Sequence, residues 1–381
     1  MLYLLLLLFS TYFLAAEYQR QCIYMEDRGR KICGFVALGS NGKIIYFTLA
    51  SIFVLFSGLR SVNNDTGNYI VYYLYKYEGK LSEIASIPFS LSDGYLFQLL
   101  NLFGKMVFGD NYARFLTFLA LITCVSYLKF IRKYSVDFSL TVYLLITSTF
   151  FDFSMAAVRQ CLAIAIAIWA IPCFCKKKYL HGFLWLALGI CIHQFVVLFA
   201  VALFLKDEVW NKKTMLIIAA TVIVSTSFSA IFSNIAESTG YAESSLVTSA
   251  GTNVLRTLVW LVPVILSLLY RNAVNAKCDM LGKVFINLSL IGSMIMVLAS
   301  FGGANLIART AYYFYPFFIL SFGEIISLAM EKRDAQLFRI LCMLGFFAYF
   351  VLLNMGNSGF FEDYYHHNSI FDLFRSTLTL L

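Results

Sequence analysis

The chain alternates between long apolar runs and short polar joints. Leu2–Ala16 and Ile44–Leu59 hold no charged residue at all. A membrane-crossing helix needs about 20 predominantly apolar residues, fewer when polar flanks reach the interface. The pattern predicts ten such spans, at 1–16, 43–59, 112–131, 136–151, 157–175, 213–233, 254–270, 283–301, 307–329 and 339–355. Short alternating segments of roughly ten residues, which would signal a barrel, are absent. The predicted fold is an all-α polytopic integral membrane protein with both termini on one side.

Two apolar runs do not fit as simple crossings. Tyr95–Phe108 is short and carries Lys105, and it reads as a helix lying at the membrane interface. Phe183–Leu205 has Lys176–Lys178 before it and Lys206, Lys212 and Lys213 after it. Flanks of one character predict a re-entrant pair with His193 near its apex; a single tilted span is the alternative. Non-helical backbone at depth is tolerated only where it lines protein or a wet cavity, so re-entrance implies a site.

Composition agrees with this pattern. Hydrophobic residues make up 60% of the 381 and charged ones 13%, with mean hydropathy +0.78, against about 45–50% and about 25% in globular domains. Residues 1–381 thus read as a single polytopic domain with an external loop at 60–92, a second at 234–253 and an external tail at 356–381. Met1–Ala16 lacks the positive leading region of a signal peptide and reads as a retained first span. The nine cysteines lie in apolar runs or predicted cytoplasmic segments and are expected to be reduced thiols.

Charge then orients the spans. Twenty of the 29 Lys and Arg fall in six joints: Arg20–Lys43, Lys129–Lys133, Lys176–Lys178, Lys206–Lys213, Arg271–Lys283 and Lys332–Arg339. Such joints mark the cytoplasmic side, so the net charge of +8 reflects topology and is no nucleic-acid footprint. Arg60, Arg159 and Arg309 fall at the opposite face, each beside the end of an apolar run. An arginine held there is costly without a partner and marks a candidate site.

In FSGLRSVNNDTGNYIVYY, Arg60 and Asp65 flank turn-forming residues just ahead of Tyr69. They form either a plain ion pair at the rim or a phosphate clamp beside a catalytic carboxylate. In SDGYLFQLLNLF, Asp93 opens the interfacial helix, as an N-cap or as part of the site. MAAVRQCLAIAIAIW puts Arg159 and Gln160 in the first turn of an apolar helix. A cation there opposes the helix dipole, so the position favours a bound anion, or else a pair with Asp152. His193 is a core histidine or a base. NLIARTAYYFYPF brings Arg309, Tyr312, Tyr313 and Tyr315 to the outer face, as an aromatic belt or as a sugar and phosphate surface. Pro316 is expected to kink that helix. Dinucleotide, P-loop and metal-box signatures are absent.

This order of motifs resembles the EpsG family, bacterial membrane proteins of exopolysaccharide synthesis grouped with the Wzy-type polymerases of O-antigen and capsule. The resemblance runs from about Ser57 to Pro316 and is strongest at V-R-Q-C-L-A-I-A-I; the family carries Glu where this chain has Asp93. It implies a GT-C-like membrane glycosyltransferase in the bacterial inner membrane with its active face periplasmic or extracellular. Its donor and acceptor would both be undecaprenyl-diphosphate-linked oligosaccharides, and it would work beside flippase and chain-length-regulator proteins. No cofactor, metal, nucleotide or nucleic acid is expected. Arg159 and Arg309 would hold the diphosphate, with Arg60 as a third contact. Asp65 is the first choice for the base and His193 the second, while Tyr69, Asp93, Gln160, Tyr312 and Tyr313 would bind or orient substrate. A transporter or flippase for an anionic lipid-linked sugar, or a non-catalytic assembly subunit, is the competing reading.

Overall fold

Helices begin where short polar side chains can take up open backbone N–H groups. Asn111, Asp137, Asn253 and Asp279 each accept from an amide two or three residues on, satisfying donors that a helix start leaves unpaired. A computed structural model describes residues 2–27, 30–36, 41–61, 65–238, 252–301 and 304–355. The chain runs α1 (Leu2–Gln21), β1 (Cys22–Asp27), β2 (Arg30–Val36), α2 (Gly42–Gly58), α3 (Thr66–Tyr75), α4 (Tyr95–Phe108) and α5 (Tyr112–Tyr134). It continues with α6 (Phe138–Thr147), α7 (Phe150–Ala156), α8 (Val158–Ala167), α9 (Ala170–Cys175), α10 (Tyr179–Ile192) and a 3₁₀ helix Gln194–Leu203. Last come α11 (Lys212–Ser238), α12 (Val254–Leu269), α13 (Arg271–Lys277), α14 (Met280–Ala299), α15 (Ala304–Ala311), α16 (Tyr315–Gly323) and α17 (Lys332–Met355). The predicted turn residues Asn63 and Asn64, most of the 234–253 loop and the tail from Gly356 lie outside the described residues.

Among the described residues, five helical stretches are long and apolar enough to cross a membrane: Tyr112–Tyr134, Val158–Cys175, Met280–Ala299, Ile307–Ala329 and Lys332–Asn354. Two bent pairs, α6–α7 at 54° and α12–α13 at 76°, raise that to seven, against the ten predicted. Part of the shortfall is α2, which stops at 17 residues, about 26 Å at about 1.5 Å per residue. The packing is that of a multi-pass membrane protein. The apolar window of Met280–Ala299 is 78% buried, whereas that of Lys332–Asn354, slightly more apolar, is only 17% buried. Water would not tolerate so broad an exposed apolar face.

One element departs from an all-α chain. β1 and β2 pair antiparallel with Cys22 opposite Val36 and Asp27 opposite Arg30. Cys22 is disulfide-bonded, which corrects the expectation that all nine cysteines are reduced. The hairpin folds the chain back on itself, a proximity that positions along apolar runs do not reveal. Pro316 also behaves differently from prediction. It sits in the first turn of α16, after a 3₁₀ turn Tyr312–Phe314, so it starts a helix where its missing N–H costs nothing.

The basic joints gather at one end. Arg132 stacks over the Tyr46 ring at 4.8 Å and Lys133 lies 5.9 Å from the Trp169 ring. Lys277 donates to Ala329 O at 3.2 Å, and Arg339 pairs with Asp137 at 2.8 Å. The far ends of α2 and α5 meet where Gly58 lies against Thr117; a side chain at Gly58 would come within 2.6 Å of the Thr117 backbone. α10 and the 3₁₀ helix run there and back from the basic end. Lys206 Nζ lies 5.1 Å from the Tyr179 ring, so the pair leaves beside its starting point. His193 stands at the reversal, in extended backbone between the two helices.

Candidate active site

Four helix ends converge opposite the basic joints. α3 brings Asp65 and Tyr69, the start of α4 brings Asp93 and Phe97, α8 brings Arg159 and α15 brings Arg309. These six residues, with Asn68, Tyr72, Lys76, Pro88 and Gln98, line one open cavity of about 740 Å³.

Gly94 fixes the geometry at its floor. Its backbone is left-handed, φ +73°, and an added Cβ would lie 2.4 Å from Ile192 O and 3.4 Å from Arg159 Cδ. Only glycine allows the α4 start, the apex of the α10 pair and the Arg159 side chain to meet this closely. The turn also leaves Asp93 out of capping duty. No side chain caps α4, and the Asp93 carboxylate belongs to the cavity wall.

Arg159 makes no ion pair among the described residues. Its Nη1 donates to Asp93 O at 3.0 Å, and the predicted alternative pair with Asp152 is not formed. Arg309 reaches across the cavity to Asp65, Nη2 to Oδ2 at 3.3 Å, from 244 residues away. Both partners of that pair stay partly exposed, 50% and 30%, so it can open for a ligand at small cost. Tyr69 packs edge-on to Phe97 at 5.9 Å. Burial raises the Tyr69 phenol above its ordinary value, with the nearby Arg159 charge opposing, so it stays a neutral hydrogen-bond donor.

Other predicted residues lie behind this wall. Gln160 is buried and donates from Nε2 to Arg309 O at 2.9 Å, tying α8 to α15. His193 shares a 2.6 Å hydrogen bond between Nδ1 and the Tyr313 hydroxyl, and neither lines the cavity. Tyr312 turns away, accepting from Arg256 Nη1 at 2.8 Å and packing on Phe153 at 4.3 Å.

Arg60 is the clearest departure from a shared site. It is 2% exposed. Its Nε donates to Thr66 Oγ1 at 3.1 Å, Nη2 to Met155 O at 2.8 Å and Nη1 to Ser57 O. Met155 can supply that carbonyl because α7 ends at Ala156, which leaves the carbonyls of its last turn without a partner in the helix. Arg60 clamps α2, α3 and α7 together behind the cavity and does not reach it.

Sequence reasoning misses Arg256. It lies in the first turn of α12, half-buried, with a buried Nε that has no hydrogen-bond partner among the described residues. A signal for it exists: it opposes the helix dipole as Arg159 does. No group of three or more metal-ligating side chains occurs among the described residues.

The cavity can therefore hold an anion between two guanidinium groups, with two carboxylates and a phenol beside it. No curated protein and no solved structure matches the chain. The family model described as EpsG family matches residues 43–368, a stretch containing every residue of the cavity wall, and the chain thus belongs to the EpsG family.

Proposed function

We propose that this protein is a polysaccharide polymerase that moves a glycan from undecaprenyl diphosphate onto a lipid-linked repeat unit at the outer face of the inner membrane. One observation carries the reading: Arg159 and Arg309, from distant helices, line the same open cavity as Asp65 and Asp93. In the reaction the acceptor hydroxyl oxygen forms a bond to the anomeric carbon. The bond from that carbon to the diphosphate oxygen breaks, and the lipid diphosphate leaves with the electron pair. Arg159, with no carboxylate partner, takes the diphosphate bidentately, and Arg309 joins it when its contact to Asp65 opens. Together they stabilise the charge that grows as the bond breaks. Asp65, released from Arg309, accepts the hydroxyl proton. His193 supports the wall from behind through Tyr313. Tyr69 donates to sugar oxygens. Ten crossings, with the α10 pair re-entrant and a GT-C-like arrangement, complete the proposal. The gathering of basic joints at the end away from the cavity supports that orientation.

The test uses purified full-length protein in proteoliposomes with lipid-linked repeat units, read as a ladder of polymer lengths. Wild type should produce the ladder, and Asp65→Asn should lose it by about 10²–10⁴-fold, the usual worth of a general base. A full ladder from Asp65→Asn with none from His193→Gln would move the base to His193. Transfer of unmodified lipid across the bilayer with no ladder would replace the polymerase with a transporter.

A further inference from the structure

A second cavity of about 790 Å³ lies at the opposite end of α2, between α1, α2 and α5. Its chemistry is divided along its length. Lys43, Lys129 and Arg132 stand at one end. Apolar walls run away from them along Ala50, Val54 and Leu55 of α2 and Leu121 and Val125 of α5. Phe47 and Leu121, 70% and 50% exposed, form open lips toward the outside of the bundle.

Arg132 also hydrogen-bonds the Tyr18 phenol, but among the described residues no acid neutralises any of the three cations. Among the described residues no carboxylate lines the groove or pairs with any of them. Arg132 is held in place by its stacking on the Tyr46 ring, which fixes the guanidinium without consuming its hydrogen-bond donors on an acid. From Lys43 to Leu55 the groove covers about 18 Å at about 1.5 Å per residue, close to one leaflet of a hydrocarbon core about 30 Å thick. A cationic head and an apolar slot one leaflet deep match an amphiphile. A soluble anion would use only the head, and a protein partner would have no use for the charge at one end alone.

We propose that this groove binds an acidic glycerophospholipid of the leaflet at the basic end, its phosphate among Lys43, Lys129 and Arg132 and an acyl chain between α2 and α5. Basic pockets between membrane helices on the cytoplasmic side recognise such head groups. The site is separate from the diphosphate cavity, and its occupancy does not depend on the polymerase reading.

Full-length protein in neutral detergent is titrated with phosphatidylglycerol or phosphatidylcholine of identical acyl chains, and occupancy is read by native mass spectrometry. Phosphatidylglycerol should be held about 100-fold more tightly, about fivefold for each cation. Lys43→Gln and Lys129→Gln, both at exposed positions, should each weaken it about fivefold without affecting the fold. Ser51→Trp, which fills the groove, should abolish retention of either lipid. Equal retention of the two lipids, or an unchanged Lys43→Gln/Lys129→Gln double variant, overturns the proposal. Displacement of phosphatidylglycerol by equimolar undecaprenyl phosphate also overturns it, and assigns the groove to the carrier lipid.

Discussion

Arg60 and Arg159 look alike in the sequence and differ in the fold. Both flank apolar runs at the same end of the bundle, and both stand near carboxylates. Arg60 spends its donors on Ser57 O, Thr66 and Met155 O and is sealed from solvent. Arg159 makes one bond to a backbone oxygen and faces an open cavity. A guanidinium whose donors are consumed by its own chain is structural, however polar its neighbourhood. One that keeps donors in reserve is available to a ligand. The difference lies in the number of acceptors: Ser57 O, Thr66 Oγ1 and Met155 O surround Arg60, while Asp93 O is the one acceptor of the Arg159 side chain among the described residues.

The largest effect that would test this contrast is at Arg159. Both Arg159→Ala and Arg159→Lys should cut polymer formation by about 10²–10³-fold, the loss expected when a donor to developing charge is removed, because lysine keeps the charge but not the planar fork. Full activity in the lysine variant would reduce Arg159 to a point charge. Gly94→Ala comes next. A left-handed alanine that also meets Ile192 O should cost about 1–3 kcal/mol and shift Arg159, so activity should fall more than thermal stability does. An alanine variant with normal turnover would show that this approach is looser than the geometry implies.

Arg60→Met should separate the two arginines most directly. Stranding three buried acceptors costs about 1–3 kcal/mol each at most, lowering yield and melting temperature while activity per folded molecule stays near wild type. A well-folded Arg60→Met protein with no activity would return Arg60 to the site. The smallest effect on chemistry belongs to Lys176–Lys178. Changing all three to Gln should disturb insertion or yield and leave specific activity intact, measured as ladder formation per mole of inserted protein.

Much of the frame is legible in the sequence, for identifiable reasons. Apolar runs and basic joints report directly on helix placement, and the flanking lysines of Phe183–Leu205 anticipate that Lys206 returns beside Tyr179. Asp65, Tyr69, Asp93, Arg159 and Arg309 are readable because each sits at the end of an apolar run, where helix ends meet. What the runs do not show is direction. Whether Arg60, Tyr312 or His193 turns toward the cavity or away depends on carbonyls and rings far off in the chain, such as Met155 O and Arg256. The bends at Thr149 and Tyr270 and the hairpin at Cys22 depend likewise on tertiary contacts that periodicity does not encode.

The doubling-back of α10 and its 3₁₀ partner has a consequence for where a fused reporter would sit. In the proposed topology, the pair adds nothing to the count of crossings, so the orientation of everything after Lys206 is the same with it or without it. Half of it is another matter. In the proposed topology, a reporter fused at His193 would report the cavity side, and one fused at Lys206, beside Tyr179, would report the basic end. In that topology the turn at His193, behind the cavity wall, is the one point of the pair that faces away from the basic end, until the 3₁₀ segment Gln194–Leu203 runs back.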